Sequence, residues 1–204
     1  AECWIPTADI EAIQLALRRG TEKSGSTIAP ILNQMATKED PPTFFRTNKF
    51  TNAFQELINA YGVASYREAN PAVYTIITFP FLFAIMFGDA GHGLIMLGFG
   101  LWMCIKEKQL EARKIDSEIW KIFFAGRYLI TIMGVFSIYT GAIYNDVFSK
   151  SINVFGSSFQ VRLKDTEILG VKDEMLDPAD KDQYYGTPYP FGVDPVWQVA
   201  ENKI

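Results

Sequence analysis

"FGDAGHG", Phe87 to Gly93, decides how this chain is read, because it breaks the longest apolar run with an aspartate, the only histidine and three glycines. That run extends from Ala72 to Ile105, "AVYTIITFPFLFAIMFGDAGHGLIMLGFGLWMCI". As a single helix it would measure about 51 Å, against a membrane hydrocarbon core of about 30 Å. Two helices joined at the glycine-rich midpoint fit better: about 72–87, a tight turn over 88–93, and about 94–105. Each half is short for a full crossing. The turn is therefore expected below the water surface, covered by protein or lining a cavity.

Asp89 and His92 in this turn support three readings. An ionised aspartate at hydrocarbon depth costs about 2.5 to 3.5 kcal/mol on insertion scales, so such a residue is a functional candidate by default. The pair can act as a proton carrier, can play an accessory part beside an ion path, or can simply build the turn. The last reading is natural, since glycines admit positive φ and aspartate accepts nearby backbone N–H groups. One His and one Asp fall short of a metal site. Upstream, Pro80 is expected to kink the first helix, with Thr75 or Thr78 satisfying freed backbone groups.

A third apolar run, 122–144, is long enough to span with some tilt and carries one charge, Arg127. Arg127 either pairs with a neighbouring helix or snorkels to the interface. Gly134, Ser137 and Gly141 fall on one stripe of small residues, the pattern of close helix packing in a membrane bundle. Asp146, just past the run, reads as an interfacial helix stop. Between the second and third runs, the loop 106–121 holds Lys106, Lys108, Arg113, Lys114 and Lys121, whereas the 88–93 turn holds no basic residue. The excess of positive charge places loop 106–121 and the preceding head in the cytosol and the turn on the far side. Trp102 and Trp120 suit the cytosolic interface.

Residues 1–70 read as the soluble end of a cytosolic domain. "PTADIEAIQLALRRG" offers Thr7 as a cap, an apolar face at Ile10, Ile13 and Leu17, and Gly20 as a stop. A loop follows, with an extended piece near 28–32. Next comes a second amphipathic helix with Phe50, Phe54, Leu57, Ile58 and Tyr61 on one stripe, ended by Gly62. Residues 146–204 read as a lumenal loop, rich in Pro, Gly and aromatic rings, that packs under its own turns. The opening "AECWIPTADI" lacks an initiating Met and a signal peptide, so the sequence reads as part of a longer polypeptide.

The expected fold is an all-α membrane protein: a short soluble helical segment, three transmembrane helices with the first two as a hairpin, and a lumenal loop. A net charge of −4 without any basic stripe excludes a nucleic-acid binder. Nucleotide-binding loops, nucleophile elbows and zinc-protease motifs are missing, which points to a non-catalytic chain that calls for no cofactor and no metal. Cys3 and Cys104 lie in contexts too different to pair readily.

The stretches "PPTFFRTNKFTNAFQELINAYGVASYREANPAVYTIITFPFLFAIMFGDAGHG" and "GRYLITIMGVFSIYTGAIYNDVFSKS" resemble the subunit a family of the eukaryotic vacuolar-type proton-translocating ATPases. The resemblance runs from "ECWIP" to "YPFGVDPVW", with little of it carried by 160–181. It implies a cytosolic half that braces peripheral stalks and a membrane half, of which this chain would hold the first three helices. In that family, protons reach a rotating proteolipid c-ring through half-channels, helped by arginines on later helices; Arg127 is not one of them. The resemblance thus implies a stationary role and partners in the c-ring, other membrane-sector subunits, peripheral stalk and lipid. Asp89 and His92 would be at most accessory to the lumenal route. ATP hydrolysis would belong to other subunits, and the location would be an acidic endomembrane compartment (vacuole, lysosome, endosome, Golgi or secretory vesicle) or the plasma membrane. The alternative is a self-standing membrane scaffold or small carrier that reuses the hairpin.

Overall fold

The computed structural model describes residues 2–25, 28–113, 115–159, 175–200 and 202. These are helical, with two isolated bridges and no strand among them. A 3-10 turn at Thr7–Asp9 leads into α1 (Ile10–Ser24). The helix runs through Gly20 and stops at Gly25, whose φ of 70° lets its N–H reach back to Glu22 and Thr21 carbonyls. An interior glycine costs only about 1 kcal/mol, too little to end an amphipathic helix, whereas a left-handed cap ends it by geometry. Thr7 makes no side-chain cap hydrogen bond.

The second helix, α2 (Thr51–Asn59), starts where Asn48 Oδ1 accepts the N–H groups of Phe50 (3.0 Å) and Thr51 (2.8 Å). Its apolar face buries Phe54 completely. Gln55, also buried, is satisfied by Asn59 and by Asn70, whose Oδ1 accepts the Ala72 N–H at the start of the next helix. An amide ladder thus ties α2 to the bundle.

That bundle consists of α3 (Ala72–Met86), α4 (Ala90–Ile105) and α7 (Arg127–Tyr144), with two short helices, α5 (Glu107–Ala112) and α6 (Glu118–Ala125), in the connection. The expected turn over 88–93 shrinks to 87–89, and Gly91 and Gly93 lie inside α4. They serve packing rather than turning: a Cβ on Gly91 would come 2.6 Å from the Phe148 ring, and one on Gly93 would come 2.9 Å from the Ile138 backbone N. The first two helices do not pack as a hairpin either. Both dock on α7, which lies parallel to α3 and antiparallel to α4.

The third expected helix, 122–144, is also broken. Its first part belongs to α6, and the α6 and α7 axes are bent by 59° at Gly126. Among the described residues, no single helix is long and apolar enough to cross a membrane; the bent α6–α7 pair meets both requirements together, and α3 and α4 are shorter apolar helices. In α3, Thr75 and Thr78 bond their own i−4 carbonyls, Pro71 and Tyr74, so neither takes the Ile76 carbonyl that Pro80 leaves without a donor. Many apolar side chains point outward, among them Val73, Ile77 and Leu82 on α3 and Leu94, Ile95 and Ile105 on α4.

Beyond α7, Asp146 and Phe148 meet the α3–α4 junction, here called the tip, while Gly192 and Val193 lie against the end of α7. Phe159, Leu176 and Ala200 form a small core with Tyr184, Val196 and Trp197. Asp194 is buried among the Ser157 hydroxyl and the N–H groups of Ser158 and Val196, and it caps a 3-10 turn at Pro195–Val199. Most of the lumenal-loop expectation for 160–181 lies outside the described residues.

Candidate functional site

The charged candidates among the described residues fall into clusters at the tip and at the opposite end, here the base. At the tip, Asp89 is the N-cap of α4. Its Oδ1 accepts the N–H groups of Gly91 (2.7 Å), His92 (3.2 Å) and, from the segment after α7, Phe148 (3.0 Å). Its Oδ2 lies 2.6 Å from His92 Nδ1, a side-chain hydrogen bond on an exposed ring. The His92 ring meets Phe148 edge-on at 5.1 Å.

Asp146 joins the tip through its backbone: its carbonyl accepts the Ala90 N–H at 2.9 Å. Asn145, with φ of 53°, makes the helix stop that the sequence assigned to Asp146. The Asn145 amide also bridges Ile152 and Val193. Asp89, His92 and Asp146 therefore share one corner of the fold. Among the described residues, no three His, Cys, Asp or Glu side chains converge as a metal site requires.

At the base stands Arg127, the first residue of α7 and 6% exposed. A guanidinium cannot shed its charge in a protein, so burial demands a partner. Glu107 provides it: its Oε1 lies 3.1 Å from Arg127 Nη2 and 2.7 Å from Lys49 Nζ, while its Oε2 accepts the Tyr128 hydroxyl at 2.9 Å. Arg127 Nη1 donates to the Phe124 carbonyl at 2.6 Å, and the guanidinium sits over the Phe124 and Tyr128 rings. The Lys49 hydrogen bond does most to hold the Glu107 carboxyl down at about 2, helped by Tyr128 and the Arg127 charge. Reciprocally, Glu107 raises the Lys49 ammonium. Phe50 packs its ring on Tyr128 at 5.6 Å, so α2, α5 and α7 meet here. An open cleft of about 620 Å³ lies beside them, lined by Asn48, Lys49, Asn52, Glu107, Glu111 and Arg127 among others.

Between the clusters runs a seam of small residues. A Cβ on Gly134 would come 2.7 Å from Leu97 N, and one on Gly141 would meet the Ala90 backbone. From α4, Gly93 faces Ser137 and Gly100 faces Thr131 in the same way. Thr140 reaches across to α3 and donates to the Ala84 carbonyl at 2.9 Å. Ser137 is 1% exposed and its hydroxyl has no partner among the described residues.

The structure thus brings Asp89, His92 and Asp146 together and puts Gly134, Ser137 and Gly141 on the α4 and α3 side of α7. It sets Arg127 apart from both, at the base. Sequence reasoning missed Glu107, Lys49 and Tyr128. A buried arginine signals that some carboxylate must approach it, yet Glu107, Glu111, Asp116 and Glu118 are all close in sequence and none stands out.

Comparison with known proteins agrees with the motifs. The chain is 57% identical over 211 residues to the V-type proton ATPase 116 kDa subunit a 4 of Homo sapiens. It is 53% identical over 211 residues to the subunit a 1 of Mus musculus and 54% over 215 residues to the subunit a 1 of Caenorhabditis elegans. Each alignment takes in 100% of this chain, which spans about a quarter of the length of these relatives. The model of the V-type ATPase 116 kDa subunit family matches residues 1–204, and the chain belongs to that family.

Proposed function

We propose that this chain forms part of the membrane-embedded stator of a rotary proton pump, with α3, α4 and the α6–α7 pair as its three membrane segments. The head and the loop from 106 to the start of α6 lie in the cytosol, and the tip and the segment after α7 lie in the lumen. The observation that carries this reading is the charge distribution around the bundle. Its flanks expose Val73, Ile77, Leu94 and Ile95 without an intervening charge, while Lys49, Glu107 and Arg127 cluster at one end. Outward-facing apolar side chains on helices packed through glycine suit lipid, because lipid gives no hydrophobic drive and close backbone approach must supply the attraction.

On this reading the chain neither hydrolyses ATP nor conducts protons alone. It links the cytosolic brace, held by peripheral stalk subunits, to the helices that face the c-ring, in an acidifying endomembrane compartment or the plasma membrane. Asp89, His92 and Asp146 build the lumenal corner on which the later lumenal segment sits.

The test is to solubilise the source membrane gently, capture an epitope within residues 2–25 and identify the bound proteins by mass spectrometry. Recovery with proteolipid ring and stalk subunits, in a complex that pumps protons after reconstitution, is the expected result. A lone chain of about 23.0 kDa would overturn it and favour a scaffold.

A further inference from the structure

The bend between α6 and α7 has no local cause. Gly126 adopts φ −83° and ψ 5°, which any residue accepts, and a Cβ there would make only ordinary contact with the Ile122 carbonyl at 3.4 Å. The sequence from Glu118 to Tyr144 holds no proline to break it, and as one straight helix it would measure about 40 Å.

What departs from a straight helix is the hydrogen bonding around Arg127. The Gly126 N–H closes the α6 ladder on Ile122, and the Ile130 N–H opens the α7 ladder on Gly126. In a straight helix the Phe124 carbonyl would accept the Tyr128 N–H; here it accepts the Arg127 guanidinium at 2.6 Å. The guanidinium is steered there by Glu107 at 3.1 Å, which α5, Lys49 and Tyr128 hold in place.

We propose that the Arg127–Glu107 pair is an ionic lock that holds the α6–α7 bend, and that α6–α7 is a hinge which straightens into one continuous helix when the lock is released. Closed, the lock turns α6 away from the α7 axis, where its Trp120 and Phe123 rings lean on Trp102 and Phe99 at the base of α4. Open, the Phe124 carbonyl returns to the backbone ladder, and α6 extends α7 beyond the base. The inference concerns one element of the chain and stands whether or not the assembly pumps protons.

Spin labels at Glu118 and Tyr139, both exposed, measure the hinge by pulsed electron spin resonance in the intact membrane assembly. Straightening a 59° bend between these positions lengthens the label separation by about 4 Å at 1.5 Å rise per residue. Arg127→Leu is expected to give the longer distance, and Glu107→Gln to add it as a second population. Gly126→Ala, which favours helix without touching the lock, is expected to keep the short distance. An unchanged single distance in Glu107→Gln, or in an assembled Arg127→Leu, would overturn the proposal. A shift to the long distance in Gly126→Ala alone would do so too, because the glycine would then be what makes the bend.

Discussion

The tip and the base are both small polar clusters on the same helix bundle, yet they are built in opposite ways. At the tip, most bonds to Asp89 come from backbone N–H groups and a histidine within three residues, with one long-range donor, Phe148. At the base, Glu107 is held by side chains 58 and 21 residues away in sequence, Lys49 and Tyr128, and by the buried Arg127. A local cluster survives the loss of one charge, since its backbone donors remain. A cluster built around a buried charge does not, because Glu107 is the one carboxylate that meets Arg127 among the described residues.

The largest expected effect tests that asymmetry at the base. Glu107→Ala leaves Arg127 buried without a carboxylate and is expected to destabilise the bundle by about 3–5 kcal/mol. Thermal or denaturant unfolding of the purified assembly measures this; a loss under about 1 kcal/mol would mean that water reaches Arg127 freely. The pH dependence sharpens the point. The Glu107 carboxyl is lowered from 4.5 to about 2 in the fold, so its contribution is fully present above pH 4.5 and is lost as pH falls through about 2. The stability gap between the natural chain and Glu107→Gln should therefore stay flat from pH 7 to about 4.5 and narrow below it.

Next in size is the seam. Gly141→Val places a branched side chain against the Ala90 backbone, which cannot yield as a flexible side chain would. Overpacking of this kind is expected to cost about 1–3 kcal/mol and to lower the yield of assembled complex, read by size-exclusion chromatography. An unchanged yield would show that α4 slides freely on α7.

At the tip, Asp89→Ala removes a helix cap and is expected to cost about 1–2 kcal/mol. Asp89→Asn keeps a cap oxygen and should cost less than about 1 kcal/mol. On the proposed reading, Asp89→Asn disturbs assembly more than it reduces pumping per assembled complex. Normal assembly with abolished pumping would instead make Asp89 a proton carrier, and the comparison of local with long-range clusters would become one of chemistry with structure.

The smallest effect is expected at Lys121, whose only ionic partner among the described residues is Asp116, with 99% of its side chain exposed. Lys121→Ala should change stability by no more than about 0.5 kcal/mol, because water screens such pairs. A larger loss would imply that the Asp116 contact holds α6 as firmly as the lock does.

Legibility in the sequence followed the range of the interactions. The amphipathic stripe of α2 and the small-residue face of α7 are patterns within a few helical turns, and periodicity exposes them, whereas Asp89 reads as part of a turn rather than as a helix cap. The glycines of "FGDAGHG" were legible as special but not as packing residues. Only the approach of Phe148 and α7 shows why Gly91 and Gly93 lack side chains, and the same sequence otherwise reads as a turn. Gly20 reads as a stop for a related reason: composition does not reveal which glycine ends α1 in the left-handed conformation, and that residue is Gly25.

From the sequence by itself came the helical class, the apolar segments with their charged boundaries, the polar break at Asp89 and His92 and a family resemblance along nearly the whole chain. These depend on residue type and on neighbours a few positions away, where helix geometry fixes the spacing. The tertiary structure alone decided that α7 lies between α3 and α4, that Glu107 among several nearby acids receives Arg127, and that α6 and α7 are bent apart. Those outcomes depend on which distant surfaces meet. A buried charge or a row of small residues states a need for a partner, and only the packed chain chooses which one meets it.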